Sequence, residues 1–284
     1  MKIALCLHGY FANAGGTEAS ELAYKYIKRK ILEGNDVDVF IHSWDTINKD
    51  KILSLYKTPN HCFEEQKDFA AELEKFDSGW FEEGFNRDKT VYKTNTIFRG
   101  LSYLYSRMKA IEMKKQHEEE NDFEYDCVVL ARFDISRRGL EHPQIYYVTK
   151  INFNPGLDME YLYSAHWNQM NHGYADHWFY SNSKNMDIVG SLYSEIFKYY
   201  QEDSDYTKAV TSAWPESNQI DEFSNECMRK PQYRTSQLKT FDKWGCIDNH
   251  KLYKWHFIVT GLHEKSRYVD ITVDTEEPRI TKNV

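Results

Sequence analysis

Two hydrophobic periods divide the first half of this chain. Lys2 to Leu7 and Val37 to His42 are short apolar runs that predict strands. Between them Leu22, Ala23, Tyr26, Ile27 and Ile31 recur at helical spacing and predict a helix over 21–32, capped by Thr17 or Ser20 and closed by Gly34-Asn35. A longer helix is predicted over 96–120. Its apolar stripe is Ile97, Leu101, Leu104, Tyr105, Met108 and Ile111, and it runs out in a solvated charge run from Lys114 to Glu120. It delivers the chain to a third apolar run, Cys127 to Ala131, which ends in Arg132-Phe133-Asp134. Strand and helix alternate, the layout of an α/β protein.

After Arg138 the pattern changes. One or two short strands are predicted within 145–153, another over Tyr161 to Ala165, and a further one from Asp176 toward Ser181, with Ser183 capping a helix over 184–200. A short helix over 219–229, strand-like stretches at Phe257-Ile258-Val259 and Tyr268 to Ile271, and a flexible tail over 275–284 complete the reading. No linker forces a division, so residues 1–274 are expected to form a single domain.

Composition narrows the classes. With 284 residues, 41% hydrophobic and 28% charged, the chain has enough apolar surface to bury a core. The formal charge of -8 and the dispersed basic residues argue against nucleic acid as a partner. No run reaches the roughly 18 apolar residues of a membrane span, and the first strand begins too near Met1 to leave room for a signal peptide. Five widely spaced cysteines without C-x-x-C suit thiols in a reducing, cytoplasmic compartment.

Candidate chemistry gathers at strand ends. Arg132 and Asp134 are two residues apart and point to one side of an extended backbone, where open α/β sheets present ligand sites; an Arg-Asp pair that merely closes the strand has the same sequence. His8-Gly9-Tyr10 opens a glycine-containing loop whose backbone amides could approach a diphosphate, or which could be a plain strand-to-helix turn. Asp45 either bonds a ribose hydroxyl or caps the segment that follows it. The loop from His166 to Tyr174 mixes indole, amide and imidazole groups, as a hydroxyl-rich ligand would need. Cys246 and His250, with Cys227 or His61, offer a loosely spaced metal set.

Taken in order, "MKIALCLHGY", "DVFIHSWD", "KKQHEEENDFEYD" leading into "CVVLARFDI", and "DHWFYSNSKNMDIVGSLY" resemble glycosyltransferases of the nucleotide-diphospho-sugar transferase (GT-A) fold. More narrowly they are similar to surface-polysaccharide enzymes of bacteria, some phages and large viruses. The resemblance covers residues 1 to about 200. It implies a GT-A-like, Rossmann-type mixed sheet flanked by helices, with a nucleotide-sugar half over 1–140 and a smaller acceptor-side half over 141–274. It also implies that Arg132-Phe133-Asp134 stands where the family carries D-x-D, so that one acid is replaced by a base. Asp134 would then hold Mn²⁺ or Mg²⁺, or the donor ribose, while Arg132 neutralises the diphosphate directly. Asp45 would lie near the base or ribose. Asp176 matches an acceptor-side acid that would act as general base in an inverting enzyme. Where members often have an Arg in the first loop, this chain has the Tyr10 to Gly16 segment. The expected function is transfer of a sugar from a nucleotide-diphosphate donor, UDP- or GDP-linked, to a glycan or other hydroxyl acceptor. The alternative is a carbohydrate-binding protein that keeps the fold without the catalysis.

Overall fold

The computed structural model describes residues 1–12, 16–76, 95–135, 151, 153–165, 173–211 and 249–269. Four strands build the parallel part of the sheet: β1 (Lys2–Gly9), β2 (Asp36–Ser43), β3 (His61–Phe63) and β4 (Cys127–Arg132). Three more follow: β5 (Leu162–Ala165), β6 (Trp178–Ser181) and β7 (Ser266–Val269). Among the described residues the sheet has 7 strands in the order β3-β2-β1-β4-β6-β5-β7. Neighbours run parallel except at β6, which is antiparallel to both β4 and β5. The protein is therefore α/β with a mostly parallel sheet.

Strand alternation sorts the core into two layers. Ala4, Cys6, Phe40, Val128 and Leu130 face one layer, and Ile3, Leu5, Leu7, Val39, Ile41 and Val129 face the other. The central strands are buried on both sides, and each large aliphatic side chain so enclosed contributes roughly 1.5–3 kcal/mol. The second layer is closed by α1 (Glu18–Ile27), extended by a π-helical turn over Lys28–Leu32, and by α2 (Lys49–Tyr56). The first is closed by the short α3 (Ala70–Leu73), the long α4 (Asn95–Asn121), α5 (Ser183–Tyr199), α6 (Asp205–Thr211) and α7 (Asn249–Val259). Where α4 and α5 cross, Gly190 lets the backbones meet: a Cβ there would lie 2.8 Å from Ile111 Cγ2.

Several local expectations change. Phe257-Ile258-Val259 is the last turn of α7, because Leu252, Tyr253, His256 and Phe257 share a buried helical face. Lys114 and Glu118, expected in solvent, are buried: Lys114 Nζ bonds Glu118 at 2.9 Å, Asp187 at 2.6 Å and Ser183 at 2.6 Å. Asn182, not Ser183, caps α5 by accepting from the Asn185 amide at 2.9 Å. Thr17 takes the N-cap position of α1 without a side-chain capping bond, its hydroxyl donating to Glu21 at 2.7 Å, while Ser20 Oγ donates to the Phe11 carbonyl at 2.6 Å. The edge strand β3 had no periodic signal in its 3 residues. The strands expected within 145–153, the helix over 219–229 and the tail over 275–284 lie outside or almost wholly outside the described residues. No helix among the described residues is long and apolar enough to cross a membrane.

Candidate functional site

The strand ends place a row of polar side chains under α4. Cys62 pairs in register with His42, His42 with His8, and His8 with Arg132. Antiparallel pairing of Ala131 with Trp178 carries the row one step further, to His177, whose carbonyl lies 3.4 Å from the Arg132 amide. Register partners point to the same face of a sheet. Imidazole, imidazole, guanidinium and imidazole thus stand side by side on β2, β1, β4 and the entrance to β6.

His8 is 1% exposed, and neither ring nitrogen has a hydrogen-bond partner among the described residues. Its ring meets Tyr103 of α4 edge-on at 5.1 Å. Burial, then the positive Arg107 and Arg132, hold its pKa well below the ordinary value, so the ring is neutral. His42 is anchored by Ser106 Oγ at Nδ1, 2.7 Å, and by Glu64 at Nε2, 2.9 Å.

Arg132 grips Asp134 with two parallel bonds, Nε to Oδ1 at 2.8 Å and Nη2 to Oδ2 at 2.7 Å. Burial opposes the charge on Arg132, but Asp134 more than offsets it and raises the pKa. Both oxygens of Asp134 are therefore already committed to a cation. Mn²⁺ or Mg²⁺ at this carboxylate would have to compete with the Arg132 guanidinium, which bonds both oxygens.

Asp176, just before β6, is 7% exposed. Burial alone would raise its pKa, yet His250, His177, Arg107 and Arg132 together hold it down to about 2. His250 Nδ1 lies 3.5 Å from Asp176 Oδ1 and bonds the Tyr174 carbonyl at 2.6 Å. The Asp176 carbonyl accepts from Arg107 Nη1 at 2.7 Å and from the Tyr103 hydroxyl. Arg107 lies fully inside, its guanidinium 5.0 Å from the rings of Tyr103 and Phe179 and 4.8 Å from that of Tyr253. Its Nε and Nη2 have no partner among the described residues. Desolvation lowers the pKa of His177 to about 4, against the opposing pull of Asp176.

The other residues singled out in the sequence serve the loops around this row. Asp45 Oδ2 accepts from the Ala12 amide at 2.8 Å, and Oδ1 from the Asn48 amide at 3.1 Å, which ties the β1 loop to the turn before α2. Gly9, at φ +93°, donates its amide to Ser106 at 2.9 Å and accepts from Ser43 Oγ at 2.7 Å. Its backbone is thus part of the scaffold. Tyr10 is 48% exposed at the mouth of the loop. The aromatic loop over 166–172, Cys227 and Cys246 lie outside the described residues.

Arg132, Asp134, His8 and Asp176 thus gather around one strand edge, whereas Asp45 and Gly9 brace it. Sequence reasoning missed Tyr103, Arg107 and His177. A usable signal existed for the row: two apolar strands, Ile3 to Leu7 and Val39 to Ile41, each end in His. Two grooves lie elsewhere, one of about 730 Å³ between α5, α6 and α7, the other of about 550 Å³ beside Met1 and Lys184. No protein-family model matches the chain, and no curated protein matches it either.

Proposed function

We propose that this chain is a glycosyltransferase of the GT-A-like class, moving a sugar from a nucleotide-diphosphate donor to a hydroxyl acceptor in the reducing cytoplasm that its free thiols suit. The observation that carries the reading is the in-register row of His42, His8 and Arg132 at the carboxyl ends of parallel strands, the edge where open α/β sheets bind ligands, with His177 beside Arg132 at the entrance to β6. A mixed, mostly parallel sheet flanked by helices also supports the reading, because the sequence resemblance implies a sheet of that general kind.

Glycosyl transfer requires stabilising the charge that builds on a departing diphosphate. Arg132 is the group to do so, because its guanidinium matches phosphate oxygens bidentately once Asp134 yields. Neutral His8 and His177 can each donate one N–H to an incoming anion, and their pKa values would rise beside it. Asp176 stays ionised at neutral pH, and in this reading its carboxylate takes the acceptor's hydroxyl proton. Calorimetry and thermal shift with UDP, GDP and CMP sugars, with and without Mn²⁺, test the donor assignment. Metal-independent binding of at least one of them is expected, and no response to any would remove the reading.

A second reading is favoured by one observation, the low basicity of Asp176 at a pKa of about 2. A protein that binds glycans without transferring sugar needs no base. Saccharide binding without nucleotide binding would select it.

A further inference from the structure

At the far end of the row, the sheet edge adds to His42 two donor side chains, Cys62 and Glu64, that neither reading uses. Cys62 of β3 stands opposite His42 of β2, and Glu64, just past β3, reaches His42 Nε2 with Oε1 at 2.9 Å. One ligand atom from each lies within 4.8 Å of the other two. We propose that His42, Cys62 and Glu64 form a zinc site, with three protein donors and a fourth tetrahedral position left to solvent or an exogenous ligand.

The donor set comes first in the argument. Imidazole nitrogen, thiolate and carboxylate are the groups that bind Zn²⁺, at about 2.0–2.3 Å from the ion, so donors must close to roughly 3–4 Å of one another. His42 Nε2 and Glu64 Oε1 are already 2.9 Å apart. Small side-chain rotations of Cys62 and Glu64 complete the set, since neither is fully buried.

Ser106 supplies the orientation. Its Oγ sits 2.7 Å from His42 Nδ1, accepts from the Gly9 amide at 2.9 Å, and has the His42 carbonyl at 3.4 Å as an outlet for its own proton. It can therefore accept an Nδ1–H bond and hold the tautomer whose Nε2 lone pair faces the metal, the outer-shell arrangement usual for zinc-bound histidine. The His42 side chain is wholly buried, with the Trp44 ring edge-on at 4.8 Å, while the Glu64 side chain is 38% exposed and leaves an entry path. The nearby cations are paired: Lys109 with Glu112 at 3.3 Å and Lys67 with Glu72 at 2.8 Å. Zinc uptake shifts the His42 proton from Nε2 to Nδ1 and expels the Cys62 thiol proton, releasing one proton per metal bound. The site is separate from Arg132 and Asp134 and stands whether or not the chain transfers sugar.

A simple His42 to Glu64 hydrogen bond would account for two of these residues without any role for Cys62, and the experiment separates the two cases. The full chain, stripped with EDTA, is titrated with Zn²⁺ by calorimetry in buffers of different ionisation enthalpy, and with Co²⁺ by absorbance. Expected are one metal per chain, one proton released, and a thiolate-to-cobalt charge-transfer band. Cys62→Ser should abolish the band and weaken Zn²⁺ binding beyond the ~10–100-fold typical of an outer-shell change. Glu64→Gln should keep the band and weaken binding about 10-fold or more. Absence of a charge-transfer band in the parent, a band that survives Cys62→Ser, or zinc affinity unaffected by Glu64→Gln would each overturn the proposal.

Discussion

Arg132 and Asp134 neutralise one another through two bonds of 2.8 and 2.7 Å, so the pair competes with any ligand that needs either group alone. Replacing Asp134 by Asn should therefore tighten nucleoside diphosphate binding in metal-free buffer, because Arg132 is released. If the carboxylate were a metal ligand, Asp134→Asn would instead abolish any tightening of nucleoside diphosphate binding that added Mn²⁺ brings. Arg132→Lys should weaken the same binding about 10- to 100-fold, the loss of one charge-assisted bond of roughly 1.5–3 kcal/mol. Calorimetry with UDP and GDP reads both variants, and an unchanged affinity in Arg132→Lys would take this residue out of the site.

Asp176 links stability to acid. Its pKa in the folded protein is about 2, below the ordinary 3.8, so the unfolded chain takes up a proton first as pH falls. The resulting stabilisation, about 2 kcal/mol, is complete above the ordinary value and is lost as pH drops through about 4 toward 2. Asp176→Asn should be less stable than the parent at pH 7 by a similar amount, and the gap should close by pH 2. Urea midpoints along a pH series check this, and a gap independent of pH would contradict it.

Lys114 is a buried cation shared by Glu118 and Asp187. Lys114→Met should cost about 3–5 kcal/mol, because Glu118 is left charged and enclosed. Pairing it with Glu118→Gln should recover part of the loss. Denaturant unfolding of the single and double variants measures the coupling.

Gly190→Ala should destabilise by roughly 1–3 kcal/mol, since the added methyl falls 2.8 Å from Ile111 Cγ2. Ile111→Ala removes the Cγ2 and Cγ1 atoms nearest the added methyl, so it should cost less in the Gly190→Ala background than in the parent. Additive losses would show that the helices part instead of packing tightly.

The long periodic segments were legible from sequence: β1, β2, α1, α4, β4 and α5 all fall where the apolar spacing puts them. What failed has physical causes. β3 is too short to show a period, and α7 hides its helix because Phe257-Ile258-Val259 is β-branched and aromatic in isolation, while its partners Leu252 and Tyr253 lie a turn earlier. Lys114 and Glu118 read as solvent-facing because i,i+4 charge pairs usually are, and their burial depends on Asp187, more than 60 residues away in the chain. At the strand edge Arg132 and Asp134 could be named from local sequence, and Asp176 only through the family resemblance. Arg107 and Tyr103 could not, because they face the site only through the angle at which α4 crosses the sheet.

The reversed direction of β6 has a last consequence. A parallel strand reaches the polar edge with its final residue, but β6 meets that edge with its first, so Asp176 and His177 arrive before Trp178. If the proposed function holds, substitutions just before Trp178 alter ligand recognition, whereas changes after Ser181 fall at the far end of the sheet and leave it alone. Retargeting by loop exchange should therefore replace the segment that leads into β6, an option that the forward-running strands beside it do not offer.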